Sequence, residues 1–185
     1  MMQLEPCLAC GGGFPSIEGP THRYLESSPG CWAAYCEVLA REYSDPAYSR
    51  LHRLTVDSYS VQHPGRPSPQ TIQSAAGHLV GLYMVLERGR SAEEATGAIG
   101  ALTQRKGRYQ WLTPPGSMGA VTVADVQTTA SVEAHLACVQ KWADSAWQAW
   151  TAHHDTVRMW ADELAGHAIT TSREARQATI DKVKP

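Results

Sequence analysis

"SPGCWAAYCEVLAREYSDP", residues 28–46, decides the fold. A serine followed by proline is a helix start. The Ser28 hydroxyl caps the first turn, and Pro29 suits the first helical position, where no N–H is needed. Trp32, Tyr35/Cys36, Leu39 and Tyr43 then recur at helical spacing. The stretch closes on Asp45-Pro46, a second start of the same kind, and Ser68-Pro69 is a third. The second helix is expected to run to His63 and stop at Pro64-Gly65. The third carries Ile72, Ala75/Ala76, Leu79, Leu82 and Leu86 and ends at Gly89. Ser91 and Glu94 form a capping box for a shorter helix to about Arg105, weakened by Gly97 and Gly100.

After a loop over residues 106–121, in which Trp111 and Met118 read as exposed apolar side chains, Thr122 and Asp125 open the last helical region. From Val132 through Leu136, Val139, Ala143, Ala146, Trp150, His153, Val157 and Trp160 to Leu164, the spacing alternates by four and three. That is the seam of one long helix ending at Gly166, with a kink near Thr151. Residues 168–185 read as a polar tail or weak helix. No strand alternation is apparent. The expectation is all-α: a single-domain bundle of four to five helices over residues 1–167, with a loop-rich knuckle at 1–27.

The 185 residues suit one domain and bury a core without disulfides. The net charge is −2 and no Lys/Arg run exceeds two residues, which argues against a nucleic-acid partner. No apolar run approaches the ~20 residues of a membrane helix, and the N-terminus has no signal-peptide pattern. A cytoplasmic location without membrane association is therefore expected. There, five cysteines are thiols or metal ligands rather than disulfides.

Those cysteines point to zinc. In "EPCLACGGGFPS", residues 5–16, Cys7 and Cys10 can place two thiolates on one tetrahedral ion, and the glycines let the backbone turn around it. A knuckle with no core of its own needs something to order it. His22 and Cys31 follow closely. Cys31 falls in a first helical turn, where the helix dipole favours a thiolate. Cys36 and Cys138 are assigned to the core. His52 and His63 share one face of the second helix but lie ~16 Å apart at ~1.5 Å per residue, too far for one ion. His63, at the helix end, can turn toward the knuckle. The ligand set is thus Cys7, Cys10 and Cys31, with either His22 or His63 as the fourth. A second, bundle-centred metal site would draw on His78, His135 and His153, with Asp57, Glu133 and Asp155 in support.

The runs CxxCG (Cys7–Gly11), GPTHxYxxSSPGCWAxYxxVLAREY (Gly19–Tyr43) and HRLTVDxYxxQHPG (His52–Gly65) resemble a bacterial family built on a domain of unknown function, and the stretch from Met118 to Trp160 fits it as well. The resemblance brings no activity. It implies that Cys7, Cys10, His22, Cys31, His52, Asp57, Tyr59 and His63 belong to the family's pattern. In architecture the chain is similar to the DinB-like helical bundles, which hold a metal on three histidines and include thiol-dependent transferases and isomerases; the cysteine knuckle sets it apart.

Three functions follow as expectations. With four protein ligands, the zinc is structural and supports a binding or interaction module. With an open coordination position, the protein is a metal-dependent hydrolase or thiol-dependent transferase, with His52, Asp57 and Tyr59 as catalytic candidates. In the third, Trp142, Trp147, Trp150 and Trp160 wall a cleft for a small molecule, with residues 106–121 as its lid. The partner is a small molecule or a protein, and the long seam could pair two copies into a homodimer.

Overall fold

The computed structural model describes residues 4–104 and 107–164, apart from the side chains of residues 102 and 103. The expected helix ends at Arg105 and Gly166, the loop residue Lys106 and the 168–185 tail lie outside the described residues. Helices dominate: α1 (Pro29–Ser44), α2 (His52–Gln62), α3 (Pro69–Leu86), α4 (Ala92–Thr103), α5 (Val123–Gln127), α6 (Val132–Ala149) and α7 (154–164). Single 3-10 turns, Tyr48–Leu51 and Thr151–His153, lead into α2 and α7. Among the described residues no helix is long and apolar enough to cross a membrane.

The all-α class holds, with two corrections. The knuckle is not loop alone: β1 (Leu4–Pro6) pairs antiparallel with β2 (Gly13–Pro15), Glu5 opposite Phe14. Strands of three residues are too short for alternation to register. The expected long last helix is three pieces, so the described residues hold seven α-helices rather than four or five. The breaks have local causes. Ser131 caps α6 by accepting from the Ala134 N–H, and at the kink expected near Thr151 the backbone tightens to 3-10 bonds, the Trp150 N–H on the Trp147 carbonyl at 3.0 Å and the His153 N–H on the Trp150 carbonyl at 2.8 Å.

The first start signal acts as read: the Ser28 hydroxyl accepts from the Cys31 N–H at 3.3 Å. The second helix begins later than expected, because Asp45 accepts from the Ala47 N–H in a turn and the chain then passes through 3-10 geometry. Side-chain phase along α1 also differs. The buried face runs Cys31, Ala34/Tyr35, Val38 and Glu42, while Tyr43 is 74% exposed and Cys36 lies at the surface rather than in the core. Cys138 is half-buried. At about 100° per residue, phasing the helix on Cys31 instead of Trp32 moves the face by one position.

The core gathers Val38, Leu54, Leu79, Leu82, Val139, Trp142 and Val157. α2 lies between α3 and α6, and α1 packs on α5 and β2. Burying α2 is unusual, because most of its buried residues are polar: Thr55, Asp57, Ser58, Ser60 and Gln62. Buried polar groups need partners, and those of Thr55, Asp57 and Gln62 shape the sites below.

Candidate metal centre

Four donors converge where the hairpin meets α1 and α2. The Sγ atoms of Cys7, Cys10 and Cys31 and a ring nitrogen of His63 all lie within 4.8 Å of one another, and all four residues are buried. Cys10 Sγ is 3.9 Å from Cys31 Sγ, and His63 Nε2 is 3.3 Å from Cys31 Sγ and 3.7 Å from Cys7 Sγ.

Each donor is placed by a local device. Cys7 and Cys10 sit in the loop of the hairpin, which closes through the Cys7 N–H on the Gly12 carbonyl and the Gly11 N–H on the Cys7 carbonyl, both 2.8 Å. Gly11 has φ +76°, a conformation that suits glycine. Cys31 is held at the start of α1, and Gly30 before it allows the hairpin to approach: a Cβ there would stand 2.3 Å from the Pro15 carbonyl oxygen. His63 is the C-cap of α2. Its Nδ1 lies 2.7 Å from the Tyr59 carbonyl. A carbonyl only accepts, so Nδ1 carries the proton and Nε2 turns its lone pair to the sulfurs. That is the tautomer a metal ligand needs.

The walls are aromatic. The Tyr59 ring stacks between Tyr35, with centroids 3.8 Å apart, and His63, at 4.1 Å. Its hydroxyl is 3.6 Å from Cys31 Sγ. Burial, and then the nearby Cys31, push the Tyr59 phenol well above its ordinary range, so it stays a donor. The thiols perturb one another strongly. Hydrogen bonds from Cys10 and Cys31 hold the Cys7 thiol far down, whereas Cys10 and Cys7 drive Cys31 far up. Cys31 pulls Cys10 down while Cys7 and burial push it up, and it ends at about 11. Three buried sulfurs in contact favour one thiolate on their own, and a cation is what allows all three to ionise.

Of the two histidines left open by the sequence, His63 lies with the sulfurs. His22 is exposed, accepts from the Tyr24 N–H at 3.2 Å and packs its ring on Trp32 at 5.3 Å. The three catalytic candidates do not meet. Tyr59 faces the sulfurs. Asp57, fully buried, takes two bonds from Arg53 and lies 2.7 Å from His78 Nδ1. His52 places Nδ1 2.6 Å from Glu42 Oε2 and Nε2 3.1 Å from the Tyr43 hydroxyl.

The histidines expected to form a bundle-centred site are likewise separate. His78 serves Asp57, His135 Nε2 serves Glu42 at 3.0 Å, and His153 serves the Thr113 carbonyl at 2.9 Å. Among the described residues the Cys/His cluster is the only group of such donors close enough to hold an ion. Nor do the tryptophans wall a cleft. Trp142, Trp147, Trp150 and Trp160 are buried core, and the first two donate to Gln62 at 2.8 Å and Glu87 at 3.0 Å. The loop expected to act as a lid is anchored instead. Gln62 Nε2 donates to the Met118 and Val121 carbonyls, and Met118 is buried.

Glu42 and Gln62 are the residues the sequence reading missed. Both are wholly buried and collect donors and acceptors from several helices. The signal for Glu42 was present: it lies eleven positions after Cys31, three turns along the same face.

The fold and the site define a helical protein with a buried three-cysteine, one-histidine cluster able to hold a metal ion. The chain belongs to the Family of unknown function (DUF5946), which it matches over residues 5–151. No curated protein and no solved structure matches it.

Proposed function

We propose that this protein binds one zinc ion through Cys7, Cys10, Cys31 and His63, that the ion is structural, and that it holds the N-terminal hairpin on the helical body of a single-domain binding or interaction module in the bacterial cytoplasm. The observation that carries the reading is the spacing of the four donors. Bonds of about 2.3 Å to sulfur and about 2.0–2.1 Å to nitrogen at tetrahedral angles require edges of about 3.8 Å between sulfurs and about 3.6 Å from sulfur to nitrogen. Cys10 to Cys31 is 3.9 Å, and His63 to the two sulfurs is 3.3 and 3.7 Å. Thiolate with imidazole is also a donor set that suits zinc over harder ions. A catalytic zinc keeps three protein ligands and an open position, whereas four buried protein donors here favour a closed site.

The test is elemental mass spectrometry on untagged protein, comparing wild type with Cys31→Ser, His63→Ala and His22→Ala. About one zinc per chain is expected in wild type and His22→Ala, and little in the other two. Folded, metal-free wild type would refute the assignment. Zinc retained at full stoichiometry without His63 would refute the closed site.

A further inference from the structure

The structure points to a second site, independent of the metal. A cleft of about 590 Å³ opens between the end of α1, the 3-10 turn before α2, α2 itself and the start of α4. We propose that it binds a small molecule bearing an oxyanion, carboxylate or phosphate, together with a hydrogen-bond donor. Two braced polar groups reach the cleft. Arg53, 17% exposed in its side chain, lines it, and behind Arg53 the buried Asp57 takes the Nε and Nη2 hydrogens. Asp57 is itself confined: a Cβ on Gly81 would stand 2.4 Å from its Oδ2. The guanidinium is thereby fixed in orientation before any ligand arrives, and Nη1 is the donor group that remains for one.

His52 is braced in the same way. The Glu42 carboxylate accepts from His52 Nδ1 at 2.6 Å, so Nε2 is the ring atom presented on the cleft side, where the Tyr43 hydroxyl reaches it at 3.1 Å. Glu42 cannot swing away, because its other oxygen accepts from Thr55 at 2.6 Å and from His135 at 3.0 Å. Arg50 adds an exposed second guanidinium. The lining's carboxylate, Glu93, comes from α4, while both guanidinium groups come from the 3-10 turn and α2. An oxyanion is therefore drawn to the α2 wall, with its hydrogen-bond donor facing the oxygen of Tyr43, which also lines the cleft and gives its own proton to His52 Nε2. Buried carboxylates that hold a cation and an imidazole toward open space are what a preorganised anion site requires.

The experiment uses full-length, metal-loaded, nitrogen-15-labelled protein. Inorganic phosphate and, separately, acetate are titrated at constant ionic strength while the Arg53 Nε–H and His52 ring signals are followed by NMR. Saturable shifts are expected with a dissociation constant of about 1 mM or below. Arg50→Ala should weaken binding about tenfold with an unchanged melting temperature, and Glu93→Gln should tighten it about twofold to threefold. Saturation by phosphate alone assigns a phosphate-bearing ligand, and saturation by acetate alone a carboxylate. Shifts that stay linear for both, or a constant unchanged in Arg50→Ala, would overturn the proposal. Metal content is unaffected by either variant, so failure here leaves the zinc assignment standing.

Discussion

Cys31 and Glu42 stand on the same face of α1, eleven residues apart, as His63 and His52 do on α2. The helices run antiparallel, so their residues pair in order: Cys31 with His63 at 3.3 Å, the Tyr35 and Tyr59 rings at 3.8 Å, and Glu42 with His52 at 2.6 Å. The two ends of this pairing solve one problem in different ways. At the Glu42 end, one carboxylate meets three donors of the chain itself, Thr55, His52 and His135. At the Cys31 end, sulfurs crowd sulfurs, and the donors of the chain do not suffice. The Glu42 carboxylate draws all its partners from the fold, whereas the Cys31 cluster, on the zinc reading proposed above, adds an ion to them.

Removing the metal should expose that contrast most strongly. Structural zinc contributes roughly 10 kcal/mol or more in small domains. A chelator, or Cys31→Ser, is expected to lower stability by more than about 5 kcal/mol, which is a drop of roughly 10–20 °C in a chain of this size. Calorimetry with and without chelator checks it, and an unchanged melting temperature would erase the distinction between the two ends. Glu42→Ala tests the other end. It strips two buried donors, Thr55 and His135, and the half-buried His52 of their acceptor and should cost about 3–5 kcal/mol by denaturant titration, with full metal content. Loss of metal in this variant would mean that the two ends are not separate.

Gly81→Ala sharpens the picture at the neighbouring carboxylate. The new methyl meets Asp57 Oδ2 at 2.4 Å, and a cost of about 1–3 kcal/mol is expected from a chemical melt. The smallest effect belongs to Glu87, whose carboxyl is lowered first by Arg158 and also by the Trp147 indole N–H. A lowered folded-state value means that its contribution is present above the unfolded carboxylate range and fades as pH falls through the folded one. Because the group is partly exposed, Glu87→Gln should cost about 1 kcal/mol or less at neutral pH and nothing at strongly acidic pH. A difference that persists in acid would assign the effect to packing.

Much of this was legible in the sequence. Ser28-Pro29 and Ser68-Pro69 mark helix starts because capping is a local event, fixed within four residues. Cys7, Cys10 and Cys31 could be grouped because thiols are rare and chemically committed. The choice between His22 and His63 was not legible, since it depends on how α2 lies against the hairpin. Glu42 drew no notice in the sequence, because a helical glutamate is by type a surface residue. Its burial follows from partners such as His135, 93 positions away, which no local pattern announces. The hairpin escaped because its pairing is short and its only strongly buried strand residue is Phe14.

The hairpin also has a consequence for the unfolded chain. Cys7 and His63 are 56 residues apart, and Cys10 and Cys31 are 21 apart. An ion gripped by all four side chains is a cross-link between these segments, and it acts like a staple. Closing a loop of that larger size removes chain entropy worth roughly 4 kcal/mol by the measure used for disulfides. Cys7 and Cys10 can capture the ion first, as near neighbours. With the proposed zinc held there, the long loops would close around a metal already in hand, and folding of the N-terminal third would become a search for two remaining ligands rather than for a core.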